Sequence, residues 1–407
     1  MGDSWFKTRG YRHFDAPVSA SYAATLCDPA FVAKHSWLPL LHYLKRVKRY
    51  KAKAGKTIYK DRPIMFASHR DTCILSKYAF DLSALLDRLY EKKGLSDHVI
   101  AYRKLGRANY DFAADAHRFA KEHQPCVVLC FDITGFFDNL DHATLKKSLK
   151  HLLGVKELPA DWYAVFRHVT KFSKVDREAL AAHPLFSKRL AMDSCGPIAT
   201  IEEIRKSGIP ITSNPNKFGI PQGTPISSAF SNLYMMDIDK LMVSACAKVG
   251  GLYRRYSDDI LVICPPIHEA EITKILKSVI ACHHLEIKDE KTERAMLGAG
   301  SDDVFQYLGF NLSKDDVSIR PSSLARQWRK ARRAIKTTKR IGKEAVAAKS
   351  AEKIYTKRLR KRFTPVGARN FSKYARRAAG AFGSKSIVRQ ALRFERMADQ
   401  EIRDIDK

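Results

Sequence analysis

The stretch Leu252-Tyr253-Arg254-Arg255-Tyr256-Ser257-Asp258-Asp259-Ile260-Leu261-Val262-Ile263 decides the fold, because it sets two adjacent carboxylates between two runs of β-branched and aromatic residues. Such runs predict a β-hairpin with the acids at its turn. Adjacent aspartates repel each other, and a hard divalent cation would offset that repulsion. Two other acidic pairs, Asp302-Asp303 and Asp315-Asp316, lie in polar sequence that favours solvated turns. The hairpin pair is therefore the candidate metal site.

A second acid lies upstream, at the end of an apolar run. Cys126-Val127-Val128-Leu129-Cys130-Phe131-Asp132-Ile133 predicts a buried strand that ends at Asp132. Asp141 is a good N-cap for the following helix, which should stop at Gly154. Since Asp141 already serves that helix, a capping role for Asp132 is the poorer interpretation.

Between the two acidic motifs lies a loop punctuated by Gly and Pro, Phe218-Gly219-Ile220-Pro221-Gln222-Gly223-Thr224-Pro225-Ile226-Ser227-Ser228. It predicts a turn that opens into a helix running through Leu241.

Together and in this order, the three segments resemble the reverse transcriptase family. Residues 284–292, which end in Lys-Thr, and the primer-grip-like string Phe305-Gln306-Tyr307-Leu308-Gly309-Phe310 extend the resemblance, which covers roughly residues 60 to 315. It implies an α+β right-hand polymerase with fingers, a palm built on a small antiparallel sheet plus helices, and a basic all-helical thumb. Within that hand, Tyr256, Leu308 and Gly309 would contact nucleic acid.

The resemblance assigns the acids to nucleotidyl transfer. Asp132 and Asp258 are expected to bridge two Mg²⁺ ions, with Asp259 supporting the charge balance. Mn²⁺ would fit equally well. In-line phosphoryl displacement builds charge on the attacking and leaving oxygens, and two metals can stabilise both.

Several residues are candidates for binding the incoming nucleotide. Phe137 stands where the family keeps its sugar gate, although a core role for Phe136 and Phe137 is the alternative. Gln222 and Gly223 would let the loop backbone approach the templating pair.

Cationic candidates for the triphosphate are less sharply defined. Lys291 would protonate the leaving pyrophosphate or contact phosphate, or else be a solvated lysine. Arg62 is the preferred triphosphate contact because a planar guanidinium suits phosphate oxygens. Its competitors are Arg70, Lys77 and Arg103.

A formal net charge of +30 and a pI near 9.8 imply a polyanionic partner. Much of the surplus follows residue 321, where apolar residues at helical spacing predict an amphipathic thumb helix. A solvated charged face is the alternative, but the charge is strongly one-signed. The residues expected to grip nucleic acid are Arg329, Lys330, Arg333, Lys336 and Arg340.

The predicted organisation has three parts. Residues 1–55 form an N-terminal extension with an amphipathic helix from Trp37 to Tyr50, residues 56–320 form fingers and palm, and residues 321–407 form the basic helical region. Further helices are expected over 72–93 and 110–123, and an insertion over about 159–216.

Finer strings resemble one subgroup. Ala67-Ser68-His69-Arg70-Asp71, Tyr102-Arg103-Lys104 and the N-terminal Arg9-Gly10-Tyr11-Arg12-His13-Phe14-Asp15 are most similar to stand-alone bacterial defence-associated reverse transcriptases, particularly class 2. That resemblance implies an antiphage enzyme that uses dNTPs to copy a structured non-coding RNA into cDNA, in concatenated form for class 2.

Alternatives stay open. They are a retron-type or protein-primed, template-independent DNA polymerase and a non-catalytic RNA-binding scaffold. No long apolar run or signal-peptide pattern occurs, so the chain is expected to be cytoplasmic with no membrane partner. The sequence gives no indication of oligomeric state.

Overall fold

A computed structural model describes residues 5–51, 55–192, 196–298 and 300–405. The α-helices are α1 Ala20–Thr25, α2 Pro29–Ala33, α3 His69–Lys92, α4 Asn109–Glu122, α5 His142–Leu153, α6 Ala160–Thr170, α7 Arg177–Ala182, α8 Pro184–Ala191, α9 Ile201–Lys206, α10 Ser227–Lys248, α11 Glu269–Cys282, α12 Pro321–Ala347, α13 Lys357–Phe363, α14 Phe371–Phe382 and α15 Lys385–Arg403. The strands are β1 Leu40–Lys51, β2 Lys56–Phe66, β3 Cys126–Asp132, β4 Ser173–Asp176, β5 Thr212–Ser213, β6 Leu252–Tyr256, β7 Asp259–Cys264, β8 Glu293–Gly298, β9 Ser301–Asp302, β10 Phe305–Tyr307, β11 Phe310–Leu312 and β12 Val317–Ile319.

The central sheet has five antiparallel strands in the order β6-β7-β3-β8-β9. Strand β3 of this sheet carries apolar side chains on both faces, because a hydrophobic core lies against each face. Val127, Leu129 and Phe131 face a core shared with α3, α10 and α11, whereas Cys126 and Val128 face a core shared with α4, β10–β12 and α14. The predicted α+β class and the small antiparallel sheet are confirmed.

Around this sheet the predicted local elements form. Asp141 caps α5 by accepting a hydrogen bond from the Thr144 backbone N–H at 2.7 Å, and Gly154 ends the helix in a left-handed conformation. The helices expected over 72–93 and 110–123 appear as α3 and α4. The loop at 218–226 opens into α10 as expected.

The helix predicted from Trp37 to Tyr50 is wrong. Residues 40–51 instead form β1, which pairs antiparallel with β2 over eleven residue pairs and parallel with β4 from the insertion. These pairings complete a four-stranded sheet in the order β2-β1-β4-β5. Apolar residues near the start of the segment imitate helical spacing, but pairing with β2 and, over three residues, with β4 prevails. Residue 55 therefore lies in the turn between two paired strands.

From Pro321 to Arg403 the chain is helical, as predicted. Ala331, Ile335, Phe363 and Phe394 belong to a core between α12, α13 and α15. Helix α14 packs on α4 and on the β10–β12 sheet, so the C-terminal region shares a core with the central sheet. Among the described helices, none has the length and apolar character needed to cross a lipid bilayer.

Candidate active site

The three candidate acids meet at one end of the central sheet. Asp132, the last residue of β3, is the direct cross-strand partner of Asp259, the first residue of β7. Beside them, the Ile133 backbone N–H donates to the Asp258 carbonyl at 3.2 Å. Strand pairing thus brings together residues that lie more than a hundred positions apart in the sequence.

The three acids lie close enough to affect each other's charge. Burial, followed by the charges of Asp258 and Asp132, raises the pKa of Asp259 to about 6, although its side chain keeps contact with solvent. Arg320 acts in the opposite direction. Together with Asp132 and Asp259 it lines a cavity of about 360 Å³. A group of carboxylates that repel each other and offer only oxygen donors suits a hard divalent cation.

The same cavity contains the hairpin expected to meet the primer. Leu308 and Gly309 form its tip between β10 and β11, both with positive φ, and they line the cavity with Tyr256. Arg320 follows β12, and its backbone N–H donates to the Gly309 carbonyl at 3.0 Å. The structure therefore brings three predicted contacts beside the acids.

A buried ion pair supports the acidic turn. Arg255 and Asp239 are both fully inaccessible, and the guanidinium contacts the carboxylate through two hydrogen bonds of 2.7 Å. Arg255 also donates to the Ser257 carbonyl at 3.0 Å and to the Asn232 side chain at 3.2 Å. Burial lowers the pKa of Arg255, but the Asp239 charge and hydrogen bonds raise it by more. The guanidinium thus ties the turn to α10.

Ser257, the residue before the two acids, has a φ of +62°, which is uncommon for a residue with a side chain. Its hydroxyl contacts the hydroxyl of Tyr102 at 3.0 Å. Tyr102 itself has a φ of +62°. Such conformations persist where the surroundings hold them, and here Arg255 holds the turn from one side and Tyr102 from the other.

The loop at 218–226 is held between the strand β2 and the turn after Asp132. The Met65 backbone N–H donates to the Gln222 carbonyl at 2.8 Å, and a Cβ at Gly223, whose φ is +119°, would lie 2.6 Å from the Met65 carbonyl oxygen. At Gly219, with a φ of +87°, a Cβ would lie 2.8 Å from the Asp138 carbonyl oxygen. Both contacts need glycine.

Comparison with known families agrees with this geometry. The family model described as reverse transcriptase (RNA-dependent DNA polymerase) matches residues 60–312. The chain belongs to the reverse transcriptase family. The match contains all three acids, the glycine loop and the β10–β11 hairpin. A search among curated proteins found no significant match.

Several solved structures of telomerases align with this chain at low sequence identity. A C-terminally truncated apo telomerase from Candida tropicalis aligns with 74% of this chain at 14% identity and a TM-score of 0.45. Apo telomerase from Candida tropicalis aligns with 78% of this chain at 11% identity and a TM-score of 0.49. Candida albicans telomerase in complex with a TWJ fragment of telomeric RNA aligns with 95% of this chain at 12% identity and a TM-score of 0.44. This chain covers 61%, 56% and 65% of those three chains.

The expected sugar gate of this reverse transcriptase lies in a short 3₁₀ turn at Phe136–Asp138. Phe136 is buried in the core, whereas Phe137 is half-buried and packs edge to face against it at 5.4 Å between ring centroids. The Phe137 carbonyl accepts a hydrogen bond of 2.8 Å from the Ile220 backbone N–H. The core interpretation thus holds for Phe136, and Phe137 keeps an accessible side beside the glycine loop.

In the fingers, two competitors of Arg62 have other partners. Arg103 is buried and donates to Asp87 at 2.6 Å and to two backbone carbonyls, and Lys77 forms an ion pair of 2.8 Å with Asp81. Arg62 is exposed on β2 and lines a cleft between this strand and helices α12 and α13. The prediction for Lys291 lies outside the described residues, because only its backbone is described, in a short 3₁₀ turn.

A cleft of about 2460 Å³ lies between the fingers strands β1 and β2 and the thumb helices α12 and α13. Within the described residues its lining contains no Asp or Glu. Its cationic residues are Lys45, Lys48, Arg62, Arg320, Arg326, Arg329, Lys330, Arg333, Lys353, Lys357, Arg358, Lys361 and Arg362.

Two of the predicted thumb contacts are placed differently. Arg329, Lys330 and Arg333 line the cleft, but Lys336 and Arg340 do not. Arg340 instead forms an ion pair of 2.8 Å with Glu344.

Sequence reasoning missed Arg320, Tyr102 and the Arg255–Asp239 pair. One signal was available for Arg255, because it lies on the same face of the predicted strand as Tyr253. A cation on the inward face of a strand needs a buried counter-charge. No local pattern indicates Arg320, which reaches the site only through the β10–β12 fold.

In the part of the chain that the structure describes, no three His, Cys, Asp or Glu side chains are grouped so as to hold a metal ion by themselves. Mg²⁺ usually binds one or two carboxylates and completes its shell with water and substrate phosphates. The acid cluster fits that mode rather than a closed protein cage.

Proposed function

We propose that this chain is an RNA-directed DNA polymerase that copies a structured non-coding RNA into cDNA with dNTPs as substrates, using two divalent metal ions. The observation that carries the proposal is the cross-strand pairing of Asp132 with Asp259, with Asp258 beside them, next to the β10–β11 hairpin. In the described part of the chain, all charged residues that line the fingers–thumb cleft are cationic, which supports a nucleic-acid duplex as the partner.

The three acids and Arg62 would have different parts in nucleotidyl transfer. Asp132 and Asp258 would hold two Mg²⁺ or Mn²⁺ ions, while Asp259 adds negative charge. When bound, the ions would favour attack of the primer 3′-oxygen on the α-phosphorus and stabilise the charge on the departing pyrophosphate. Arg62, exposed on the fingers, would contact the triphosphate.

Discrimination between sugars would come from Phe137. A flat ring packed against a deoxyribose leaves no room for a 2′-hydroxyl, so ribonucleotides would be rejected by steric clash. The half-buried position of Phe137, backed by Phe136 and linked to the glycine loop, supports a ring that keeps its place when a nucleotide binds.

An antiphage role rests on strings at the N-terminus and in the fingers, and these contact each other. Asp15 accepts hydrogen bonds from the backbone N–H groups of His69 and Arg70 at 2.8 and 2.9 Å, and the Tyr11 ring stacks on His69 at 4.5 Å. The two strings that resemble class-2 defence enzymes therefore contact each other at the start of α3.

The test combines sequencing with plaque counts. Nucleic acids co-purified with wild type and with Asp258→Asn/Asp259→Asn are sequenced, and both proteins are expressed in cells challenged with phage. We expect one RNA with both proteins, complementary cDNA only with wild type, and phage protection only with wild type. cDNA repeats would indicate the class-2 product.

Other products would identify other functions. DNA joined to protein would indicate protein priming, and an RNA branch would indicate a retron. RNA without any DNA, together with protection by the variant, would establish a scaffold instead of a polymerase.

A further inference from the structure

Helix α15 carries an exposed stripe that consists of cationic and apolar residues. Its members are all exposed and recur three or four positions apart: Lys385, Val388, Arg389, Leu392, Arg393 and Arg396. Residues at this spacing lie on one face of an α-helix. At a rise of about 1.5 Å per residue, this α15 stripe is about 17 Å long.

The buried side of α15 faces the helices that line the fingers–thumb cleft. Phe394 and Ile402 share a core with Ala331 of α12 and Phe363 of α13. On the helix, these two positions are offset from the α15 stripe by about half a turn. Among the described residues, none of those that line the cleft belongs to α14 or α15. The α15 stripe therefore lies outside the surface proposed to hold the template–primer duplex.

The cations of the α15 stripe lack acidic partners. In the part of the chain that the structure describes, none of them forms an ion pair. Lys385, Arg389 and Arg393 follow each other at every fourth position, where like charges destabilise a helix. The acids of the same helix are already engaged, in the pairs Arg376–Glu395, Arg360–Asp399 and Arg332–Glu401. A bound polyanion would offset the repulsion along this face.

A groove of about 370 Å³ lies beside the α15 stripe, between α14 and α15. Val388 and Leu392 line it, and their exposed fractions are 44% and 36%. On the side of α14, the groove is lined by the small residues Ala379 and Gly380, and a Cβ at Gly380 would have no neighbour within 4 Å. An open apolar surface thus adjoins the cations.

This combination of surfaces matches a structured RNA. Its stems present phosphates to cationic side chains, and its loops present unpaired bases that can pack against a protein surface. A basic helix face with apolar residues can also lie on a membrane, but such a helix buries a broad apolar face. The apolar part of the α15 stripe is limited to Val388 and Leu392, which favours RNA.

We propose that the α15 stripe and the adjoining groove bind a stem-loop of a structured RNA, separately from the duplex in the cleft. The inference rests on the proposed function, because an RNA that is copied in the cleft needs a second contact if its folded part is to stay on the enzyme. Its consequence is that the enzyme binds an RNA stem-loop and a template–primer duplex at the same time.

The test measures binding of two probes to the full chain in EDTA. An equimolar, unlabelled RNA–DNA hybrid first fills the cleft, and a fluorescein-labelled RNA hairpin with a ten-base-pair stem is then titrated at several salt concentrations. Arg389→Glu/Arg393→Glu reverses two charges of the α15 stripe. Arg88→Glu/Lys92→Glu is the matched control, because it reverses two exposed charges at the same spacing on α3, outside the cleft and the groove.

Wild type and the control should bind the hairpin with the hybrid in place. If Arg389 and Arg393 each neutralise one phosphate, their reversal should weaken hairpin binding about 30-fold at physiological salt and reduce the slope of log affinity against log salt by about 1.8. Hybrid binding, and primer extension after Mg²⁺ is added, should stay as in wild type. Unfolding midpoints confirm that the variant folds, and Lys385→Glu/Arg396→Glu repeats the test with the other two cations.

Unchanged hairpin binding by both stripe variants would overturn the proposal, as would an equal loss in the control. Complete displacement of the hairpin by the hybrid would place both probes in one site and likewise overturn it. Loss of binding to phosphatidylserine vesicles by the stripe variants, with hairpin binding unchanged, would assign the α15 stripe to a membrane surface instead. Failure of wild type to bind and extend the hybrid would refute the polymerase function itself, whereas the other outcomes refute only the second RNA site.

Discussion

Replacing Asp239 by Asn should strongly destabilise the fold. The carboxylate and the Arg255 guanidinium are both fully inaccessible, and Asp239 accepts two hydrogen bonds of 2.7 Å from Arg255 and one of 2.8 Å from the Tyr253 hydroxyl. Asn keeps the size of the side chain but removes its charge. Removing one partner of a buried ion pair costs about 3–5 kcal/mol, since the other charge stays buried without compensation.

A second variant separates stability from function. Asp239→Leu/Arg255→Met removes both charges, and apolar replacement of a buried pair is often neutral for stability. This double variant should therefore be more stable than Asp239→Asn. It also removes the bond from Arg255 to the Ser257 carbonyl, so the acidic turn loses its support from α10. Misplacing reacting groups by about 1 Å can cost on the order of 100-fold in rate, and we expect a loss of that size.

The assay is urea unfolding followed by circular dichroism, with primer extension on an RNA template measured on the same samples. Arg332→Ala is the control, because it breaks an exposed ion pair with Glu401 and should cost under about 1 kcal/mol. A cost below about 1 kcal/mol for Asp239→Asn, or full primer extension by the double variant, would refute this account of the turn.

Three other outcomes follow from the site. Because the pKa of Asp259 is raised to about 6, the contribution of Asp259 to the stability of the metal-free protein should fall as pH rises from about 4 through 6. In a thermal-shift series, the difference in melting temperature between wild type and Asp259→Asn should therefore change over this pH range. Mg²⁺ should raise the melting temperature of wild type more at pH 7.5 than at pH 5. Gly223→Ala should cost about 1–3 kcal/mol and most of the primer extension, whereas Gly106→Ala, at a positive φ with no neighbour within 4 Å, should leave synthesis intact. Phe137→Ala should raise ribonucleotide incorporation relative to deoxyribonucleotide incorporation roughly tenfold or more in single-nucleotide extension, and an unchanged ratio would contradict the gate.

Local signals predicted the parts of the fold that depend on neighbours in the sequence. The β6–β7 hairpin, the strand ending at Asp132 and the Asp141 cap each have a short-range cause, and each forms. The segment at 37–50 was mispredicted because its strand is specified by β2 and β4, and β4 lies more than 120 residues away. Both pairing partners lie outside the segment, so the residue pattern of the segment alone does not show the strand.

The same distinction applies to the candidate site. The acids could be found because a polymerase needs them at fixed positions in short motifs, whereas Arg320 and Tyr102 reach the site through the tertiary fold. The basic thumb run was recognised by charge, but which of its members line the cleft depends on the orientation of α12. Composition therefore predicts a polyanionic partner, whereas geometry was needed to tell which residues line the cleft.

The N-terminal segment is an integral part of the fold. The family match begins at residue 60, yet β1, at residues 40–51, lies between β2 and β4 in the first sheet. Leu41 and Phe14 share a core with Val175 of the insertion. A strand paired on both edges contributes backbone hydrogen bonds that neither neighbour can replace. Residues outside the family match thus complete the four-stranded sheet.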